Sequence, residues 1–158
     1  MLIGNPDTFA IWCDPVDSWS TERFKNGCFA YFLGGQLIWS LRSTLGVDMH
    51  ALSTLHCMRI SVSDDRLFSL STIDAYSEFY ASAFPSMDSG AQENDWTHLV
   101  SVESLSDDGY NVFLVESDEE AKLLYGRGND LSTVREVTLK RGEFQAVARA
   151  AIEKSKTS

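Results

Sequence analysis

Between Leu67 and Ala121 the sequence has no lysine and no arginine, yet that stretch holds twelve carboxylates: Asp74, Glu78, Asp88, Glu93, Asp95, Glu103, Asp107, Asp108, Glu116, Asp118, Glu119 and Glu120. The residues before it carry five basic and seven acidic side chains, and those after it eight and four, so the charge runs −2, −12 and +4 along the chain and gives the net −10. A field of that sign repels nucleic acid and anionic membrane, and it speeds encounter with basic proteins or cations. It also keeps a protein of pI near 4.6 in solution, so charge alone does not separate a binding role from plain solubility.

Other scarcities narrow the field. Cys13, Cys28 and Cys57 are an odd set with no Cys-x-x-Cys pair, which argues against a disulfide framework and a structural zinc site. Each sits among apolar residues without basic neighbours to lower its pKa, so all three read as reduced, buried packing side chains. No apolar run approaches the eighteen or so residues that span a bilayer, and no basic segment leads into an apolar one at the N-terminus, so a cytoplasmic protein is expected. At 158 residues and 44% hydrophobic content the chain fits one domain, 1–158, with a full core.

Thr8–Cys13 and Cys28–Leu33 are rich in aromatic and branched residues between turn formers and predict strands. Gly34-Gly35 accepts positive φ, so Gly27–Leu33 and Gln36–Leu41 predict a hairpin. Asp14–Asn26 reads as a loop or short irregular helix. The spacing of Leu45, Val47, Met49, Leu52 and Leu55 predicts a helix over Val47–Cys57. Ser71 with Asp74 resembles a capping box for a helix over Thr72–Ala83, stopped by Pro85.

Met87–Asp95 is polar and aperiodic, and reads as a surface loop. His98–Glu103 and Tyr110–Glu116 predict a second hairpin with Asp107-Asp108-Gly109 at its tip. Ser117 with Glu120 is a capping box, which predicts a helix to about Tyr125 with three carboxylates in its first turn. Thr133–Leu139 reads as a last strand. Gly142 opens a terminal helix whose Phe144, Val147, Ala148, Ala151 and Ile152 form one apolar stripe.

Chemistry is sparse. Asp107-Asp108-Gly109 and Glu93-Asn94-Asp95 lack the spacing of a calcium loop. His50, His56 and His98 form no His-x-x-x-His pair, and joining Cys28 or Cys57 with His98 and a carboxylate needs three distant residues to converge without a nucleophile elbow. Gly126-Arg127-Gly128 lacks the continuation of a phosphate loop. No catalytic residue, metal ligand or cofactor is expected from these motifs.

The N-terminal third carries a more specific pattern: Ile3-Gly4-Asn5-Pro6, Phe9-Ala10-Ile11, Trp19-Ser20, then Phe24-Lys25-Asn26-Gly27 running into Phe29-x-Tyr31-Phe32 and the Gly34-Gly35 turn. It resembles the immunity protein 42 family of bacterial polymorphic toxin systems, whose members begin with a similar Gly-Asn-Pro segment and a similar Asn-Gly strand. Thr44-Leu45 and the leucine-rich helix continue the likeness to about residue 55, beyond which the order of helices and strands agrees. Gly34-Gly35 stands where Asn-Gly is expected. The shared motifs serve turns and strand entry and name no active-site residue.

The resemblance implies a cytoplasmic protein that binds and neutralises a cognate toxin domain and is not an enzyme, with no cofactor, nucleic-acid or membrane partner. A nuclease toxin is basic in order to hold phosphate, so an acidic inhibitor suits it. Glu93, Asp95, Asp107 and Asp108 lie on segments expected to be exposed and are the candidate partner-binding residues. A small hydrolase or transferase with a Cys or carboxylate site, and an acidic adaptor for some other basic protein, remain as alternatives. The fold class expected is α+β, a mostly antiparallel sheet of five or six strands with three or four helices.

Overall fold

Strands in the first half of the chain leave one face partly exposed, and two of the three in the second half bury both. A computed structural model describes residues 1–90 and 93–157, so Ala91 and Gln92 of the expected 87–95 loop lie outside the described residues. The first sheet is antiparallel in the order β1 (Leu2–Asn5), β2 (Phe9–Pro15), β3 (Asn26–Leu33), β4 (Gln36–Thr44). The β3–β4 hairpin turns at Gly34-Gly35 as expected, with φ of 58° and 85°. In register, Ile11, Tyr31 and Ile38 point inward together with Phe9, Cys13, Phe29 and Leu33. Gly27 sits beside a bulge where a Cβ would lie 2.1 Å from the Asp14 carbonyl oxygen, so no side chain fits there.

α1 (Leu45–Thr54) follows β4, two residues earlier than expected, and a 3₁₀ turn at His56–Met58 completes the segment. After α2 (Asp65–Ser69), α3 covers Thr72–Ala83 as the sequence predicts, with Ser71 Oγ accepting from the Asp74 N–H at 3.2 Å. α4 (Glu103–Asp107) leads into the second sheet: β5 (Tyr110–Ser117), β6 (Glu120–Arg127) and β7 (Asp130–Lys140), antiparallel in that order. α5 (Glu143–Ser155) ends the chain with Phe144, Val147, Ala148 and Ala151 buried. The α+β antiparallel class holds; the strands number seven in two sheets, with five α-helices among the described residues.

The two sheets share a core. Phe9 stacks on Phe144 at 4.7 Å, Tyr31 Oη donates to the Val100 carbonyl at 2.8 Å, and Tyr125 Oη donates to the Leu33 carbonyl at 3.3 Å. Val112, Leu114, Leu123 and Leu139 face that core. The other face of the second sheet is also covered, because Phe113, Val115, Leu124 and Val134 pack under α3 against Tyr76 and Phe79. A strand buried on both faces reads as a continuous apolar run with no alternation.

Two expectations are corrected, the first by that burial. The segment after Ser117 is strand β6, not a helix: Ser117 pairs with Glu120 across a two-residue turn, Asp118 takes φ 51°, and Ser117 Oγ donates to Asp65. Ala121, Leu123, Leu124 and Tyr125 are all buried, which both faces of a covered strand allow. A cap contributes about 1 kcal/mol, against about 1.5–3 kcal/mol for each large side chain buried, so burial wins.

His98–Glu103 is likewise not a full strand. Residues 98–100 lie beside β5 through Leu114 N–H to the His98 carbonyl and Val100 N–H to the Val112 carbonyl, both 2.8 Å, and then the chain turns into α4. Asp107-Asp108-Gly109 is therefore a helix end, with Gly109 at φ 90°, and not a hairpin tip. The cause is distant in sequence. Asp48 on α1 is 1% exposed, and its carboxylate accepts from the Ser104 N–H at 3.1 Å, from Ser104 Oγ at 2.6 Å and from Ser43 Oγ.

Losing that acceptor leaves an N–H and two hydroxyls buried without a partner, each at about 1–3 kcal/mol. Asp48→Ala is expected to lower the unfolding free energy in urea by roughly 3 kcal/mol or more, whereas Asp107→Ala on the exposed end of α4 changes it by less than about 0.5 kcal/mol.

The core thiols add a pH dependence. Burial pushes Cys13 up to about 11 and Cys57 to about 12 from an ordinary 9.0, and lifts the Tyr76 phenol to about 12. These groups release protons more readily when unfolded, so their stabilisation is complete below about pH 9 and is lost as pH climbs through the folded values. The unfolding free energy should fall between pH 9 and 11, with a shallower fall in a Cys13→Ala/Cys57→Ala protein.

Candidate functional site

The four candidate carboxylates fall into two separate places. Glu93 and Asp95 are exposed on a segment docked against the end of α3: Asn94 Nδ2 and Trp96 Nε1 both donate to the Ala83 carbonyl, at 2.7 and 3.0 Å, and the Asp95 N–H donates to the Ser82 carbonyl at 2.9 Å. The helix ends with its carbonyls occupied and the segment fixed in place. Hydrogen bonds from the side chain and then the backbone N–H of Thr97 hold the Asp95 carboxyl below its ordinary value.

Asp107 and Asp108 close α4 beside β4. Asp107 is exposed, but Asp108 is ion-paired with Arg42, whose hydrogen bond holds its carboxyl low, and its backbone carbonyl accepts from Arg127 Nη2 at 3.1 Å. Among the described residues no hydrogen bond or ion pair joins the Glu93–Asp95 segment to α4.

The rest of the acidic stretch sorts by partner. Glu116 is buried, accepting from the Val62 N–H at 3.0 Å and Gln145 Nε2 at 3.2 Å, and Glu78 forms a two-pronged pair with Arg66 at 3.0 and 2.8 Å. With Asp108 these are the ones with structural work. The other nine are exposed and in no ion pair among the described residues. Asp118, Glu119 and Glu120 belong to that exposed set: they form the β5–β6 hairpin tip, where no helix dipole offsets their charge.

A second surface was not anticipated from the sequence. The outer face of the first sheet is apolar and partly exposed: Leu2, Trp12, Ala30 and Trp39 are aligned across β1 to β4, and Ala10, Phe32 and Leu37 form the next row, with the two alanines themselves buried. On β4, Leu37, Trp39 and Leu41 are 39%, 47% and 54% exposed. The signal was present in Phe9-Ala10-Ile11-Trp12 and in Cys28–Leu33, apolar at both parities. Alternation shows that such strands have two apolar faces, and only the packing shows which one stays open.

Cys13, Cys57 and His98 are engaged in packing, whereas Cys28 is half-buried and His50 and His56 are exposed. Cys13 and Cys57 stay protonated at neutral pH because of their burial, and His98 is held by Nδ1 at 2.8 Å from the Leu114 carbonyl with its ring 4.7 Å from Phe79. Among the described residues no group of three or more His, Cys, Asp or Glu side chains is placed to hold a metal ion, and no helix is long and apolar enough to cross a membrane. What the surface offers is area for a macromolecule: separate acidic patches and an aromatic face.

Comparison with known proteins gives that surface a setting. No curated protein matches the sequence. A crystal structure of CdiI from Burkholderia dolosa AUO158 matches with a TM-score of 0.95 and 62% sequence identity, over 98% of this chain and 99% of that one. The family model for immunity protein 42 matches residues 1–154, which include both sheets, the acidic segments and nearly all of α5. By that match, and by the two-sheet fold it shares with the Burkholderia protein, the chain belongs to the immunity protein 42 family.

Proposed function

We propose that the chain acts in the cytoplasm as one domain that neutralises a cognate bacterial toxin by binding it, not by catalysis, and that Glu93, Asp95, Asp107 and Asp108 lie on the contact surface. Membership of the immunity protein 42 family and the likeness to the Burkholderia CdiI support a toxin-neutralising role in interbacterial competition. The observation that carries the acidic reading is the nine exposed, unpaired carboxylates. Unpaired surface charge projects its field into solvent, whereas paired charge largely cancels. Such a surface suits a basic partner, a nuclease being the toxin class that must be basic to hold phosphate.

The direct test uses the toxin domain encoded beside this gene, inactivated by mutation. Titration calorimetry should show a one-to-one complex with Kd on the order of nanomolar or tighter. No heat of binding at micromolar concentrations would end the immunity reading.

The position of the acidic contact is tested by charge reversal. Asp108 is a poor site for it, because a basic side chain there faces Arg42 and confuses folding with binding. Glu93→Lys with Asp107→Lys avoids that. This protein should melt as wild type does, associate several-fold more slowly at low salt and show a flatter dependence of association rate on ionic strength, since exposed charges act mainly on the on-rate. Equal slopes for the two proteins would remove these residues from the interface.

A further inference from the structure

One end of the first sheet opens into a groove of about 1100 Å³ whose charge is opposite to that of the protein. Its floor is the edge of the shared core, formed by Cys13, Leu45 and Met49, and its lips are the exposed Phe24 and Val47. Arg23 and Lys154 stand on its rim with the N-terminal ammonium of Met1, and among the described lining residues the carboxylate is Asp14, which pairs with that ammonium at 2.6 Å.

The rim is built, not incidental. Ser20 Oγ donates to the Val16 carbonyl at 2.9 Å and accepts from the Asn26 N–H at 3.1 Å, and Asn26 Nδ2 donates to the Trp19 carbonyl at 2.8 Å. Thr21 Oγ1 accepts from the Phe24 N–H at 3.1 Å, and the Leu45 N–H donates to the Lys25 carbonyl at 2.9 Å. These bonds tie the loop carrying Arg23, Phe24 and Lys25 to the start of α1, so the lip is set before anything binds. A preformed lip spares a ligand the cost of ordering it.

We propose that this groove takes a segment of the partner toxin in which an apolar side chain is flanked by carboxylates. The inference rests on the toxin-binding reading above. Charge complementarity supports it: in a chain with 13 basic and 23 acidic residues, a largely apolar groove edged by cations is mismatched to the basic surface that the carboxylates attract. It fits the opposite, an apolar anchor desolvated on Cys13, Leu45 and Met49 with acidic neighbours reaching the rim. An interface that reads both signs fixes one register of the two proteins and rejects toxins that are merely basic.

The test exploits the sign. Arg23→Glu with Lys154→Glu makes the protein more acidic, so if net charge governed binding the inactive toxin domain would bind as tightly or more tightly. The groove reading requires the reverse: at least a tenfold weaker Kd by calorimetry, with an unchanged thermal midpoint. Lys140→Glu with Arg149→Glu, an equal charge change outside the groove, should leave Kd unchanged or tighter, and Val47→Asp should weaken it at least tenfold through the apolar lip alone. Wild-type affinity in both the rim-reversed and the Val47→Asp proteins would overturn the groove as a site while leaving the immunity reading intact. Failure of the wild-type protein itself to bind would overturn both.

Discussion

The carboxylate of Asp48 ties α1 and α4, which border the apolar groove and one acidic patch, to the end of the first sheet. It sits at 1% exposure at the junction of β4, α1 and α4, and takes three hydrogen bonds, two of them from Ser104, 56 residues away. Burying a carboxylate costs several kcal/mol unless its oxygens are satisfied. The partners must therefore be in position, which makes the junction specific. α1 is held in the orientation that gives the groove Leu45, Val47 and Met49, and α4 in the orientation that presents Asp107 to solvent and Asp108 to Arg42. The groove and one acidic patch are positioned by a single buried acceptor.

The second constraint is that the second sheet is covered on both sides, by the shared core on one face and by α3 on the other. It leaves β5 and β6 no polar face, so their acidic residues collect where the strands emerge. Asp118, Glu119 and Glu120 are at the turn, and Glu116 just before it is drawn inward to Val62, Gln145 and, at 3.8 Å, Arg141. Among the described residues the first sheet has no helix or strand packed over its outer face, and Trp39 there remains in contact with water. The asymmetry between a doubly covered sheet and a singly covered one produces the division of the surface into charged ends and an apolar face.

For a protein that works by binding, this division is chemically useful. In protein association generally, unpaired surface charge raises the encounter rate, desolvated apolar and aromatic area supplies affinity, and groups of the opposite sign add selectivity. None of these requires a nucleophile, and the thiols of Cys13 and Cys57 are kept protonated by the burial that makes them good packing residues.

The sequence by itself determined the local features: the Gly34-Gly35 hairpin, α3 from Ser71 to its stop before Pro85, the apolar stripe of α5, the burial of Cys13 and Cys57 though not of the half-buried Cys28, and the acidic window, because turn chemistry, capping and periodicity act over a few residues. The Gly-Asn-Pro and Asn-Gly segments pointed to the family, since tight turns and the close approach at Gly27 admit few residues. Tertiary structure decided the rest. Capping chemistry read locally cannot separate a helix start from a tight turn between strands, so residues 118–125 looked helical. The Asp48 acceptor that folds α4 is too far away in sequence to be seen, and with it went the expected hairpin at Asp107-Asp108-Gly109. Which carboxylates stand unpaired, which sheet face stays bare and where cations gather around an apolar groove depend on partners brought together only by folding, so the binding surface was the part a linear reading left open.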